Sequence, residues 1–304
     1  MKILQSSLES QDGLKLHLQS WEPDARPRAV VVLVHGLGEH IARYAAVAAD
    51  LVRAEFAVVG FDLRGHGRSG GRRGHTPSYA ALLDDLGSVL ELAGDRHPRR
   101  SVFLYGHSLG GALAINYAMR RSSKLVGVIA SAPLLKAMVP ASPLRIALSR
   151  ILEPLLPTYT ERWDAKPADL SMDSSVGDAY ARDPLVHDFI SARMYRAGTQ
   201  AGMWALEHAA EFPLPLLLMH GTGDRVTSWE ASREFAGRLG KKCTLKLWEG
   251  AYHELHNELE RRRVLKTAIL WMNRRLKIGA TRRGTAGQMR PVVGKSRPTL
   301  RHRA

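Results

Sequence analysis

Residues Gly106-His107-Ser108-Leu109-Gly110 fit the pattern G-x-S-x-G. They stand between an apolar run, SVFLY, and a helix-like segment over 109–120. A serine in a tight turn between strand and helix presents its hydroxyl outward. The amides that open the helix favour negative charge developing beside it. That is the chemistry of a nucleophile attacking a carbonyl. The bare pattern also occurs as an ordinary glycine turn. The strand before it, and Gly111 after it for close packing, favour the chemical reading.

A serine hydroxyl is a weak nucleophile and needs a base, which in turn needs a partner to orient it. Elbow serines are followed along the chain by an acid and then a histidine. Asp224, in MHGTGDRVT, follows the run LPLLLM, and His253, in LWEGAYHELH, follows the strand-like CTLKLW. Taken singly, Asp224 reads equally well as a turn residue and His253 as a surface-loop histidine. Their order and their places after strands, where active-site loops of open α/β sheets gather, select them as orienting acid and general base. His256 is the rival base. It is set aside because it is expected to begin the final helix. His253-Glu254-Leu255-His256 is one residue short of H-E-x-x-H and lacks an evident third ligand, so no zinc site is expected. An oxyanion hole needs two backbone donors. Leu109 follows the nucleophile, and Leu37, in the loop His35-Gly36-Leu37-Gly38 after an early strand, is the second candidate. Gly65-His66-Gly67-Arg68-Ser69-Gly70 matches G-x-G-x-x-G. No helix opens there, because Gly71, Arg72, Arg73 and Gly74 extend the loop and Pro77 delays the helix, so a flexible loop is expected rather than a nucleotide site.

The elements that must position these residues are legible as apolar runs at 28–34, 56–61, 102–105, 125–130 and 214–219. Short β-rich runs without alternation suggest strands buried on both faces, as in a parallel sheet. Amphipathic stretches lie between them, so the fold class is α/β with a mostly parallel, doubly wound sheet. The opening segment alternates around Asp12-Gly13 and predicts an antiparallel hairpin at the sheet edge. Thr76 with Pro77 behind it marks a helix start. The rhythm breaks over 134–212, which is rich in proline and shows no strand pattern. Leu144, Leu148, Ile151, Leu152 and Leu155 share one helical face there, so the stretch reads as a helical insertion. The expected organisation is a core in two parts, 1–133 and 213–278, a helical cap at 134–212, and a basic tail at 279–304. A final helix is expected over 257–276, with the tail disordered beyond it.

The chain has 304 residues and a net charge of +15. Seven basic residues and no acidic ones lie in 279–304, which leaves +8 on the remainder. Such a run is a solvated tail or a tether to an anionic surface. Peripheral contact with an anionic membrane is the sharper expectation, and nucleic acid is not expected as a partner. Cys243 is the sole cysteine, which excludes an internal disulfide. The N-terminus lacks an apolar stretch of signal-peptide length, and no run approaches 18 apolar residues. A cytoplasmic protein, peripheral to the membrane at most, is the expectation.

Together the stretches HGLGEHIARY, FDLRGHGRSGGRRGH, YGHSLGG, SAP, DPLVH, HGTGDRVT and GAYHELHNE resemble the monoacylglycerol lipase and lysophospholipase branch of the α/β-hydrolases, a group classed with S33-type serine peptidases. The resemblance covers roughly 8–276. It implies a triad of Ser108, Asp224 and His253, with oxyanion donors Leu37 and Leu109. It also implies a cap over the site, often shaped for an acyl chain. The activity it implies is hydrolysis of a carboxylic ester, a monoacylglycerol or lysophospholipid, without metal or organic cofactor. A peptidase or amidase, or a small-ester esterase, on the same machinery is the alternative, and a non-catalytic binding protein is a remoter one. The basic tail lies outside the resemblance.

Overall fold

The computed structural model describes residues 1–121, 124–138, 156, 158–163 and 166–288, with 279–288 as backbone alone. Its centre is an eight-stranded sheet in the order β1-β2-β4-β3-β5-β6-β9-β10. The strands are β1 (Lys2–Glu9), β2 (Lys15–Glu22), β3 (Ala29–Val34), β4 (Phe56–Phe61), β5 (Ser101–His107), β6 (Leu125–Ser131), β9 (Leu216–Gly221) and β10 (Cys243–Trp248). β1 and β2 form the antiparallel edge hairpin, and β2 runs antiparallel to β4. The remaining neighbours pair in parallel.

The unbroken apolar runs follow from burial on both sheet faces. Val30, Val32 and Val34 of β3 pack on one side with Leu82 and Leu86 of α2 (Tyr79–Arg96) and with Leu113 of α3 (Leu109–Arg120). Val31 and Leu33 pack on the other with Leu51 of α1 (Ala45–Arg53) and Leu265 of the C-terminal helix. Successive side chains point to opposite faces, so a strand with no solvated face has no polar alternation.

Two local expectations shift. The cap of α2 is Ser78, whose hydroxyl accepts the Ala81 N–H at 3.0 Å. Thr76 instead donates its hydroxyl to the Ser78 carbonyl at 2.7 Å. The C-terminal helix runs Arg261–Gln288, starting later than expected and passing well beyond 276 into the basic segment. Arginine and lysine are good helix formers, so a charge run does not end a helix by itself.

Between β6 and β9 lie α4 (Ser174–Arg182), α5 (Ala192–Glu207) and two short strands, β7 (Thr160–Arg162) and β8 (Phe189–Ser191), paired antiparallel. The segment therefore carries a β-ribbon as well as helices, where only helices were expected. The Leu144–Leu155 face lies outside the described residues. Backbone bonds seat the insertion on the core loops. The His187 N–H donates to the Gly38 carbonyl and the Ser191 N–H to the Gly74 carbonyl, both at 2.9 Å. The last core helix before the C-terminal one, α6, spans Trp229–Leu239. The C-terminal helix is α7.

Candidate active site

The parallel strands end along one edge of the sheet, and every candidate residue sits just past an end. Register pairs Val34 with Gly106, His107 with Ser131, Ser131 with Met219 and Trp248 with Gly221. The loops carrying Leu37, Ser108, Asp224 and His253 therefore converge above neighbouring strands, the usual place for a site in an open α/β sheet.

Ser108 joins β5 to α3 at φ 52° and ψ −119°, a conformation that side-chain-bearing residues rarely adopt. Its surroundings hold it there. Its N–H donates to the Ser131 carbonyl at 2.9 Å, and its carbonyl accepts the Leu134 N–H at 3.0 Å. A Cβ on Gly110 would lie 2.4 Å from the Val34 and His35 carbonyls, so the helix approaches β3 more closely than any side chain allows. Ser108 is 8% exposed.

Asp224 and His253 meet as a buried pair. The Nδ1–H of His253 donates to Oδ2 of Asp224 at 2.7 Å, since a carboxylate only accepts. That fixes the tautomer and turns the Nε2 lone pair away from Asp224, and the cavity here is lined by both His253 and Ser108. Burial opposes the imidazolium, but the Asp224 carboxylate outweighs it and raises the His253 pKa above the usual histidine value. Asp224 is also buried, yet His253 and His220 keep its carboxyl well below the usual range.

Sequence reasoning overlooked the groups that hold Asp224. His220 Nε2 lies 3.0 Å from Oδ2, and the Thr227 hydroxyl donates to the same oxygen at 3.0 Å. The Val226 and Thr227 N–H groups donate to Oδ1 at 2.7 and 3.0 Å. His220 and Thr227 belong to the same HGTGDRVT stretch, so their proximity in sequence was the available signal.

His256 lies in a single 3-10 turn, Leu255–Asn257, not in the final helix. It is fully buried, stacked on Tyr44 at 4.6 Å and edge-on to His107 at 4.9 Å, and neither ring nitrogen has a protein partner among the described residues. It does not reach Asp224. Among the described residues no three metal-binding side chains gather as a metal site would require.

The N–H groups of Leu37 and Leu109 donate to no acceptor among the described residues. The Leu109 amide is the first of α3, and such amides have no partner within their helix. Gly36 brings its loop against the Ser108 turn, since a Cβ there would lie 3.1 Å from the Ser108 Cβ. The G-x-G-x-x-G stretch serves this neighbourhood structurally. It wraps buried Asp62, whose carboxylate accepts the Arg68 N–H at 2.7 Å and the Ile41 N–H at 2.8 Å, and no helix follows until Tyr79.

Ser108 and His253 open into a cavity of about 550 Å³ between core and insertion. Leu37, Leu134, Leu170, Ile190 and Met194 supply apolar wall. Residues 25–260 match the family described as serine aminopeptidase, S33. The chain belongs to this family. Within the S33 family and its α/β-hydrolase fold, this chain is 35% identical over 263 residues to a monoacylglycerol lipase of Mycolicibacterium smegmatis, covering 86% of this chain and 93% of that one. It is 34% identical to the crystal structure of a monoacylglycerol lipase from Paleococcus ferrophilus, with a TM-score of 0.79 over 86% of this chain and 99% of that one. An abhydrolase domain-containing protein of Dictyostelium discoideum is 36% identical over 274 residues, which are 89% of this chain, and this chain spans 29% of that longer protein.

Proposed function

We propose that this S33-family protein hydrolyses carboxylic esters, with monoacylglycerols, or the related lysophospholipids, as its substrates. Ser108 attacks the acyl carbonyl while Nε2 of His253 takes the hydroxyl proton. Asp224 holds the histidine tautomer and stabilises the imidazolium that forms. The Leu37 and Leu109 amides receive the oxyanion. The protonated histidine then hands its proton to the leaving alcohol. Water, activated by the same base, releases the acid from Ser108.

The observation that carries this reading is the 2.7 Å contact between Asp224 and His253 at the base of an apolar-walled cavity that also contains the strained Ser108 turn. The relatives named as monoacylglycerol lipases favour a single acyl chain as the occupant. The rim suits a polar head. Arg225 is 59% exposed and pairs with Asp169 at 3.3 Å, and both line the cavity. That pairing also weighs against Asp169 as an anchor for a peptide amino terminus.

Among the described residues no helix is long and apolar enough to cross a membrane. We propose that contact with lipid is peripheral and electrostatic, carried by the basic C-terminal segment.

The test joins labelling to substrate range. A fluorophosphonate should modify Ser108, and Ser108→Ala should abolish labelling and turnover in a protein that still folds. Turnover within about tenfold of wild type would refute the nucleophile. In a series of monoesters from two to eighteen acyl carbons, kept below micellar concentrations, kcat/KM should climb with the first added carbons. Each buried methylene contributes about 0.8 kcal/mol, so a few carbons give one to two orders of magnitude. A steady fall with chain length would favour a small-ester or amide hydrolase, and aminoacyl amides in the same panel would distinguish these.

A further inference from the structure

In the wall of the cavity lies a buried cluster of two carboxylates and one guanidinium, with Glu39 and Glu254 lining the cavity and Arg43 behind them. Glu39 and Glu254 are 3% and 2% exposed, and the Arg43 side chain is 10% exposed. Nη1 of Arg43 donates at 2.7 Å both to Oε2 of Glu39 and to Oε1 of Glu254, and Nη2 donates to Oε2 of Glu254 at 2.8 Å. The other oxygen of Glu39 accepts the Gly36 N–H at 2.6 Å and the Tyr44 hydroxyl at 2.8 Å. Gly36 immediately precedes Leu37, and Glu254 immediately follows His253. One guanidinium therefore ties the loop of an oxyanion donor to the loop of the base. The insertion joins the same cluster, because Tyr180 lies under the Arg43 guanidinium at 4.8 Å and the Glu254 N–H donates to the Leu170 carbonyl at 2.7 Å.

We propose that Glu39, Arg43 and Glu254 form a strut that sets the spacing between the Leu37 amide and His253, with Arg43 as its central positioning residue, an inference that rests on the roles assigned to Leu37 and His253 above. Three features support it. The fork geometry of arginine fits two carboxylates at fixed angles, which a lysine ammonium does not reproduce. The strut joins residues 211 positions apart in sequence, so no local turn keeps these loops in register. Two carboxylates against one guanidinium leave an excess negative charge beside His253, and Glu254 and Glu39 both favour its protonated form. That excess complements the imidazolium of the transition state.

The full-length chain is assayed as wild type, Arg43→Lys, Glu39→Gln and Ser108→Ala, on a soluble short-chain ester. An alkyl boronic acid serves as the tetrahedral mimic on serine, and the matching alkyl alcohol occupies the cavity without that geometry. Arg43→Lys keeps the charge and loses the fork. It is expected to lower kcat by about ten- to a hundredfold, the loss that misplacement by 1 Å produces, with KM within about twofold. Boronate affinity should fall by the same factor while alcohol affinity holds. Glu39→Gln keeps an oxygen for the Gly36 N–H and should lie between wild type and Arg43→Lys; it carries the same comparison if Arg43→Lys does not fold. A purely structural role would lower Tm while leaving kcat per folded molecule and the boronate-to-alcohol ratio at wild-type values, and that result would overturn the strut. If Ser108→Ala keeps wild-type turnover, the assigned nucleophile fails and the strut falls with it. Loss of turnover in Ser108→Ala with an unchanged ratio in Arg43→Lys rejects the strut alone.

Discussion

His253 and His256 are three positions apart and both buried, yet their surroundings give them different work. His253 donates its Nδ1–H to Asp224, whereas His256 contacts rings and has no hydrogen-bonding protein partner among the described residues. Its burial, with Arg43 and His253 nearby, holds its pKa well below the usual histidine value, so it stays neutral. His253→Ala should lower kcat by about a thousandfold, as triad deletions do. His256→Ala should remove about 2 kcal/mol of stability through lost packing and change kcat by less than about tenfold. Steady-state kinetics beside denaturant unfolding separates these outcomes, and reversed effects would move the base to His256. The pH profile gives a second test. Burial penalises the charged His253 ring, but Asp224 more than offsets this and raises its pKa. A base works only when deprotonated, so activity should be lost as pH falls through that raised value. The acid limb of kcat/KM, measured on a non-ionising ester, should lie above about 6.5, the ordinary histidine value. Asp224→Asn should move the limb to lower pH and reduce kcat by about 10⁴, through loss of both charge and tautomer control.

The turn at Ser108 depends on how closely α3 approaches β3. A Cβ on Gly110 would lie 2.4 Å from two backbone carbonyls, which no side-chain rotation relieves. Gly110→Ala should therefore push the start of α3 outward, lowering kcat by about a hundredfold through displacement of Ser108 and the Leu109 amide. Slower fluorophosphonate labelling by folded protein would register the displacement, and labelling at the wild-type rate would contradict it. The same close packing explains what the sequence could reveal. Strands buried on both faces leave unbroken apolar runs, so β3, β4, β5, β6 and β9 were legible, as was the glycine-flanked serine between β5 and α3. β7 and β8 were not, because strands of three residues, Thr160–Arg162 and Phe189–Ser191, show no periodicity. The Arg43 cluster was only half visible, since Glu39 stands four residues before Arg43 whereas Glu254 reaches it only through the tertiary fold. The α2 cap falls on Ser78 rather than Thr76, whose hydroxyl donates to the Ser78 carbonyl; both residue types cap helices, so residue type alone does not decide between them.

The charge of the whole protein is asymmetric along the chain. α7 carries its backbone helix to Gln288, into the segment where basic residues accumulate without acidic ones. Cutting the chain after Ile278 leaves every residue proposed as catalytic in place and removes seven positive charges. Turnover of a soluble short-chain ester should then stay within about twofold, whereas binding to anionic vesicles should weaken. Added salt should weaken binding of the full-length chain in the same way, because the Debye length falls to about 8 Å at 0.15 M. Sedimentation with vesicles of phosphatidylserine and phosphatidylcholine measures both effects, and equal binding by the two forms would make the segment a solvated appendage. The seam of the insertion has a consequence of another kind. β6 pairs with β9 in parallel, Val128 opposite Leu216 through Ser131 opposite Met219, although the whole insertion separates them in the chain. Closing a loop carries an entropy that grows only with the logarithm of its length, about 0.6 kcal/mol for each doubling. The sheet is therefore nearly indifferent to how much chain is threaded out between Ser131 and Leu216. Selection can lengthen, shorten or rebuild the wall of the cavity at little expense in folding, while the strands that bring Ser108, Asp224 and His253 together stay in register.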